Sequence, residues 1–197
     1  MSDSDVERAG QAIRDGDLVV YPTETVYGLG AAALDADAVE RVFEAKGRSR
    51  DKPVSLGVPT VEDALDHVHA SDHEERFMRE FLPGPVTVLC ERRDHVPDVL
   101  TAGRDRVGIR VPDHDLALDL YRAAGTPVTA TSANVSGSPS VTDPADLDPT
   151  FLEQVAVTLD GGVTAGTEST VVNVEAGEIH RPGALGDRIE AWLAEHD

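Results

Sequence analysis

Lysine is nearly missing from this chain: of 17 basic residues only Lys46 and Lys52 are lysines, and the remaining 15 are arginines. Positive charge as a whole is scarce, with 37 acidic residues against those 17 and a formal net charge of −20 at pH 7. A surface of that sign repels phosphate backbones and anionic bilayers, so direct nucleic-acid binding is disfavoured and no membrane partner is expected. One cysteine, Cys90, excludes an internal disulfide and any multi-cysteine zinc site. No apolar run exceeds strand length, which leaves no candidate transmembrane helix. The acidic start MSDSDVERAG is the opposite of a secretory leader. What is present, 40% hydrophobic and 27% charged residues over 197 positions, describes a globular chain with enough material for one core. The expectation is a cytoplasmic protein.

Aspartate outnumbers glutamate by 22 to 15, and acidic tracts such as Asp113-His114-Asp115 run along the whole chain instead of forming a tail. At molar salt the Debye length shrinks to about 3 Å, and self-repulsion among surface carboxylates becomes tolerable. The composition therefore resembles that of proteins adapted to a salt-saturated cytoplasm. Against it, the stretch Lys46-Gly47-Arg48-Ser49-Arg50-Asp51-Lys52 carries four positive charges and one negative. It reads either as a solvated loop offsetting acidic neighbours or as a site for an anion, phosphate or carboxylate. In a chain this poor in lysine the anion site is favoured.

Helical and strand patterns alternate. Residues 5–14, 36–45, 61–66, 72–81, 113–124 and 184–195 have helical character, with Asp113 as N-cap and Gly125 as terminator of the fifth. Residues 17–21, 54–58, 86–90, 107–111, 128–131 and 155–159 read as strands, and 169–174 with 178–180 as a hairpin around Ala176-Gly177. No repeat, low-complexity linker or shift of composition divides the chain. The expected fold class is α/β: a single domain spanning 1–197, with a twisted, mixed, open sheet and helices.

Polar residues collect at strand ends. Pro22 stops the first strand, and Thr23 to Gly30 is expected to form a tight polar loop able to approach a ligand, or simply a turn. Ser132-Ala133-Asn134 follows the strand at 128–131, where open α/β sheets bind ligands; a plain Ser/Asn turn is the competing reading. Glu168-Ser169-Thr170 opens a third strand in the same manner. Arg110 before Pro112 and Arg181 before Pro182-Gly183 suit bidentate contacts to carboxylate or phosphate, or are exposed charges. P-loop, dinucleotide-binding and nucleophile-elbow patterns are all absent. His67, His69 and His73, on a weak helical stretch, fit no standard zinc spacing and read as surface residues, and Cys90 reads as a buried strand residue.

Taken in order, seven blocks resemble the YrdC-like family of threonylcarbamoyl-AMP synthases: YPTETVYGLG at 21–30, KGR at 46–48 with Lys52-Pro53, PGPVTVL at 83–89, GIRVP at 108–112, TSANVSG at 131–137, ESTVV at 168–172 and RPG at 181–183. The likeness covers roughly residues 8 to 183. It implies an open sheet with a concave basic cavity. It also implies conversion of L-threonine, bicarbonate and ATP into threonylcarbamoyl-adenylate, pyrophosphate and water, ahead of a downstream threonylcarbamoyl transferase complex and tRNA. The family's Lys-x-Arg and Ser-x-Asn signature falls on Lys46, Arg48, Ser132 and Asn134, expected to be catalytic. For ATP, with Mg²⁺ as co-ion, the resemblance points to Lys46, Arg48, Arg50, Asn134, Thr142 and Arg181. For threonine it points to Thr23, Ser55, Arg110, Ser132 and Ser169. Ser49 stands where the family commonly has proline. The linker and second domain of longer members have no counterpart here, so the short type is expected, and with the acidic composition a halophilic archaeon as source. The alternative is a paralogue of the same fold that binds nucleotide or RNA without synthase activity.

Overall fold

The computed structural model describes residues 3–196. Eight α-helices and ten strands alternate along them. In chain order they are α1 (Asp3–Arg14), β1 (Leu18–Tyr21), β2 (Gly28–Gly30), α2 (Ala36–Lys46), β3 (Ser55–Gly57), α3 (Val61–Leu65), β4 (Val68–His69), α4 (Asp72–Phe81) and β5 (Val86–Arg92). There follow α5 (Asp98–Thr101), β6 (Arg106–Arg110), α6 (Asp115–Ala124), β7 (Val128–Ser132), α7 (Pro149–Leu152), β8 (Val155–Thr158), β9 (Thr170–Asn173), β10 (Glu178–Arg181) and α8 (Gly186–His196). The expected α/β class with a mixed sheet is what forms. One sheet runs β10-β9-β5-β6-β3-β7-β2-β1-β8, with β4 added to the far end of β5. Parallel pairs (β9/β5, β6/β3, β1/β8) are interleaved with antiparallel ones.

The sheet has two differently covered faces, and strand alternation assigns residues to each. On one face Leu56, Val88, Cys90, Val107, Ile109 and Val172 pack with Val39 and Phe43 of α2, Phe77, Met78 and Phe81 of α4, and Ile189 and Trp192 of α8. Burial pushes the Cys90 thiol up, which fits an inert core residue. Trp192 meets Phe77 edge-to-face and donates its indole N–H to Glu80, fastening the last helix. On the other face α1 and α6 cover the β1–β2 end, burying Ala9, Ile13, Val19, Leu120 and Val128. They leave the middle strands of that face open, and the cavity described below occupies this gap.

Three local expectations change. Gly28–Gly30 is a strand pairing with both β1 and β7, because glycines there let the Tyr21 ring lie against the sheet. The α6 N-cap is His114, not Asp113, whose backbone N–H instead reaches Glu24. Of the three histidines, His67 and His69 sit in the turn and short strand after α3, and only His73 is helical. Among the described residues no helix is long and apolar enough to cross a membrane.

Candidate active site

Helix α2 delivers the basic stretch. Asp35 caps its start by accepting the N–H groups of Asp37 and Ala38. Gly47 ends it in the left-handed conformation (φ 53°), which reverses the chain between two cations. Lys46 turns inward and is 1% exposed, whereas Arg48 lines a cavity of about 840 Å³. Strand glycines carve the floor of that cavity. A Cβ on Gly108 would lie 2.6 Å from Ser55 Oγ, and one on Gly28 would lie 2.7 Å from Tyr21 Cζ. Glycine in a strand interior marks such close approaches.

Six cations line the cavity, Arg48, Lys52, Arg104, Arg106, Arg110 and Arg181, against the carboxylates Asp51 and Glu168. In a chain of net charge −20 this is a strong local reversal of sign. Among the described residues Arg48 has only backbone acceptors, Lys52 O and Pro53 O, each at 3.0 Å. Burial, and then the approach of Arg181, hold its guanidinium below its ordinary value. Two guanidiniums that repel each other in one cavity are stabilised by an anion bound to both. Arg181 is oriented by Ser169, whose carbonyl and hydroxyl accept from it at 2.9 Å, and by Glu168 at 3.1 Å.

Arg110 has partners already. Its Nη2 lies 2.8 Å from Glu24 Oε1, and its Nη1 donates to Gly84 O. It enters the cavity as half of an ion pair instead of a free cation. Thr23 is likewise engaged: its hydroxyl donates to Val26 O at 2.7 Å and accepts from Thr25 at 2.8 Å, which shapes the turn after β1.

Of the residues singled out in the sequence, Thr23, Arg48, Ser55, Arg110, Ser132, Ser169 and Arg181 share this lining. Lys46 and Asn134 stand just behind it. The Lys46 ammonium donates to Ser132 O, to Asn134 O at 2.8 Å and to Asn134 Oδ1 at 3.1 Å. Asn134 Oδ1 also accepts from Ser132 Oγ, and its Nδ2 donates to Ser138 O at 2.7 Å. Lys46 and the Ser-x-Asn pair are thus one hydrogen-bonded unit, in which Lys46 positions the 132–138 loop, while Arg48 stands outside it. Arg50 points away to Glu40 at 2.5 Å, and Thr142 lies under the 164–166 loop, its carbonyl accepting Thr164 N–H at 2.9 Å; neither lines the cavity. Sequence reasoning missed Tyr21, Thr87, Arg104, Arg106, Tyr121 and His180 in the lining. The strand glycines at 57 and 108 were the available signal, since each faces one of these side chains.

The arrangement of Lys46 makes a prediction. Lys46→Met removes three hydrogen bonds, leaves Asn134 O without a donor among the described residues, and is expected to lower unfolding free energy by about 3 kcal/mol, near 1 for each lost bond. Burial, then Arg48, push the lysine down to about 7 from 10.5. Below about 7 folded and unfolded chains both hold this proton, and between there and 10.5 only the unfolded chain does. Wild-type stability therefore rises relative to Lys46→Met as pH climbs through that window. Denaturant midpoints at about pH 6 and about pH 9 read both effects, and a difference that does not grow between them would mean that the ammonium stays charged in the fold.

The chain belongs to the Sua5/YciO/YrdC family: the family model described as "Telomere recombination" matches residues 11–183. It is 43% identical over 189 residues to a threonylcarbamoyl-AMP synthase of Pyrococcus abyssi, covering 93% of this chain and 55% of that protein. It is 38% identical to a Bacillus subtilis protein of the same description, with coverages of 98% and 57%. A solved structure, described as P. abyssi Sua5 complexed with L-threonine, superimposes with a TM-score of 0.85 at 39% identity, covering 93% of this chain and 55% of that one. The chain thus spans a little over half the length of these relatives.

Proposed function

We propose that this chain makes L-threonylcarbamoyladenylate and pyrophosphate from L-threonine, bicarbonate and ATP, the first step toward threonylcarbamoyladenosine in tRNA. The observation that carries the reading is the clustering of Arg48 and Arg181 with four further cations in the lining of one cavity that also presents serine and threonine hydroxyls. A polyphosphate answers the pair, and a small hydroxylated zwitterion suits the Thr23, Ser55, Arg110, Ser132 and Ser169 end. The synthase descriptions of the relatives and the threonine-bound P. abyssi structure support the same assignment.

In this reading the threonine amine and bicarbonate condense to a carbamate with loss of water. A carbamate oxygen then attacks the α-phosphorus, and pyrophosphate leaves with the electrons of the broken P–O bond. The protein supplies proximity and charge neutralisation, with Arg48 and Arg181 on the phosphates and Lys46 holding the Ser132–Asn134 segment in place. Among the described residues no three His, Cys, Asp or Glu side chains converge on a point. Mg²⁺ would arrive with the nucleotide and neutralise phosphate charge, and Asp51 and Glu168 are the cavity carboxylates that would lie nearest to such an ion. The labile product passes to a threonylcarbamoyl transferase and tRNA, in the cytoplasm by the composition of the chain.

The test is pyrophosphate release from ATP in molar KCl with Mg²⁺, adding threonine and bicarbonate singly and together. Release that needs both is expected. Release without threonine, or ATP binding with no release, would replace the synthase with a nucleotide-binding paralogue.

A further inference from the structure

Two tyrosines in the cavity have no task in the reaction as proposed. Tyr21 of β1 and Tyr121 of α6 are 1% and 2% exposed, both line the cavity, and their hydroxyls are 2.8 Å apart. Tyr21 Oη donates its proton to Thr129 O at 3.1 Å. A phenol has one proton to give, so that bond sets the direction of the pair: Tyr121 donates to Tyr21. Tyr121 Oη is left with acceptor capacity and no donor to it among the described residues.

The backbone makes room for this oxygen. A Cβ on Gly57, on the cavity face of β3, would lie 2.5 Å from Tyr121 Oη, and the Gly28 position clears Tyr21 in the same way. Strand positions without side chains thus admit both phenols to the cavity face. Burial pushes Tyr21 up to about 12 and Tyr121 well above the ordinary 10, so both stay neutral and neither acts as a base near pH 7. The charge acting most on both is Arg110, ahead of Glu24.

We propose that Tyr121 Oη, oriented by Tyr21, is the acceptor for the side-chain hydroxyl of a β-hydroxy amino acid, and so selects threonine over its deoxy analogue. The inference rests on the synthase reading for its substrate. An oxygen whose only proton is committed elsewhere reads donors alone. Beside the Arg110 guanidinium a neutral hydroxyl meets no repulsion, whereas an ammonium does. A buried acceptor left without a donor is what penalises an analogue lacking the hydroxyl. Tyr121 is in this sense a specificity residue and takes no part in bond making.

Calorimetric titration of the full chain with L-threonine and with L-2-aminobutyrate tests this, alongside Tyr121→Phe and Tyr21→Phe. The wild type is expected to prefer threonine. Tyr121→Phe should weaken threonine about tenfold and leave 2-aminobutyrate and ATP unchanged, and Tyr21→Phe should fall between. Equal weakening of both amino acids would assign the contact to the ammonium and overturn the proposal. A drop in melting temperature with the preference intact would overturn it in favour of a packing role. A binding preference lost in Tyr121→Phe, in a protein that releases no pyrophosphate, would sustain the hydroxyl contact and sink the synthase reading alone.

Discussion

Arg48→Ala is expected to lower kcat/KM for ATP by about 10²–10³-fold while leaving the fold intact. The two halves of that statement come from different contacts. Arg48 is half-buried and bonds only two loop carbonyls, Lys52 O and Pro53 O, so its removal costs the fold about 1–2 kcal/mol. Its charge lines the same cavity as Arg181 and makes no ion pair among the described residues, and that charge is what a triphosphate would meet. Arg48→Lys keeps the charge and loses the planar fork, so an intermediate loss is expected. Arg181→Ala should act in the same direction and also release Ser169, which it now orients. The double variant should lose less than the product of the singles, because the residues serve one anion. Steady-state kinetics in molar KCl, with melting temperatures alongside, provide the check. Unchanged turnover in Arg48→Ala would remove the anion site from the reaction.

Much of this was legible before any coordinates. The helical and strand periods located α1, α2, α4 and α6 and most strands of the sheet, because burial against one face imposes those periods. The Lys46–Lys52 cluster pointed to the site, since its charge contradicts the rest of the chain. What stayed hidden depends on distance between segments. Lys46 and Arg48 are two positions apart, yet the left-handed turn at Gly47 sends one to the Ser132–Asn134 loop and the other to the cavity. Arg110 reads as a free cation until Glu24, 86 positions away, is seen at 2.8 Å. Arg50 belongs to the same charge cluster in sequence and faces Glu40 in space. The short strand β2 was misread because its alternation consists of glycines, which record the bulk of Tyr21 opposite instead of any side chain of their own.

Stability should depend on salt more steeply than on any single side chain. Of the 37 carboxylates, Glu74 alone is fully buried among the described residues, so nearly all of the −20 charge is spread over the surface. The ion pairs there, such as Arg79 with Glu62 and Glu75 or Arg122 with Asp119, engage arginines already outnumbered by acids, and exposed pairs contribute little. Raising KCl from about 0.1 M to about 1 M shortens the Debye length from about 10 Å to about 3 Å, removing most repulsion between carboxylates on neighbouring elements. If that relieves roughly 4 kcal/mol, the melting temperature rises by about 10 °C or more for a chain of this size. The cavity responds in the opposite sense. Its cations are screened by the same salt, so nucleotide affinity should fall while stability climbs, and activity should peak at an intermediate concentration. Melting curves and ATP titrations across a KCl series separate the two trends. A melting temperature insensitive to KCl would show that the acidic surface is stable without screening, and the inferred adaptation to a saline cytoplasm would fall with it.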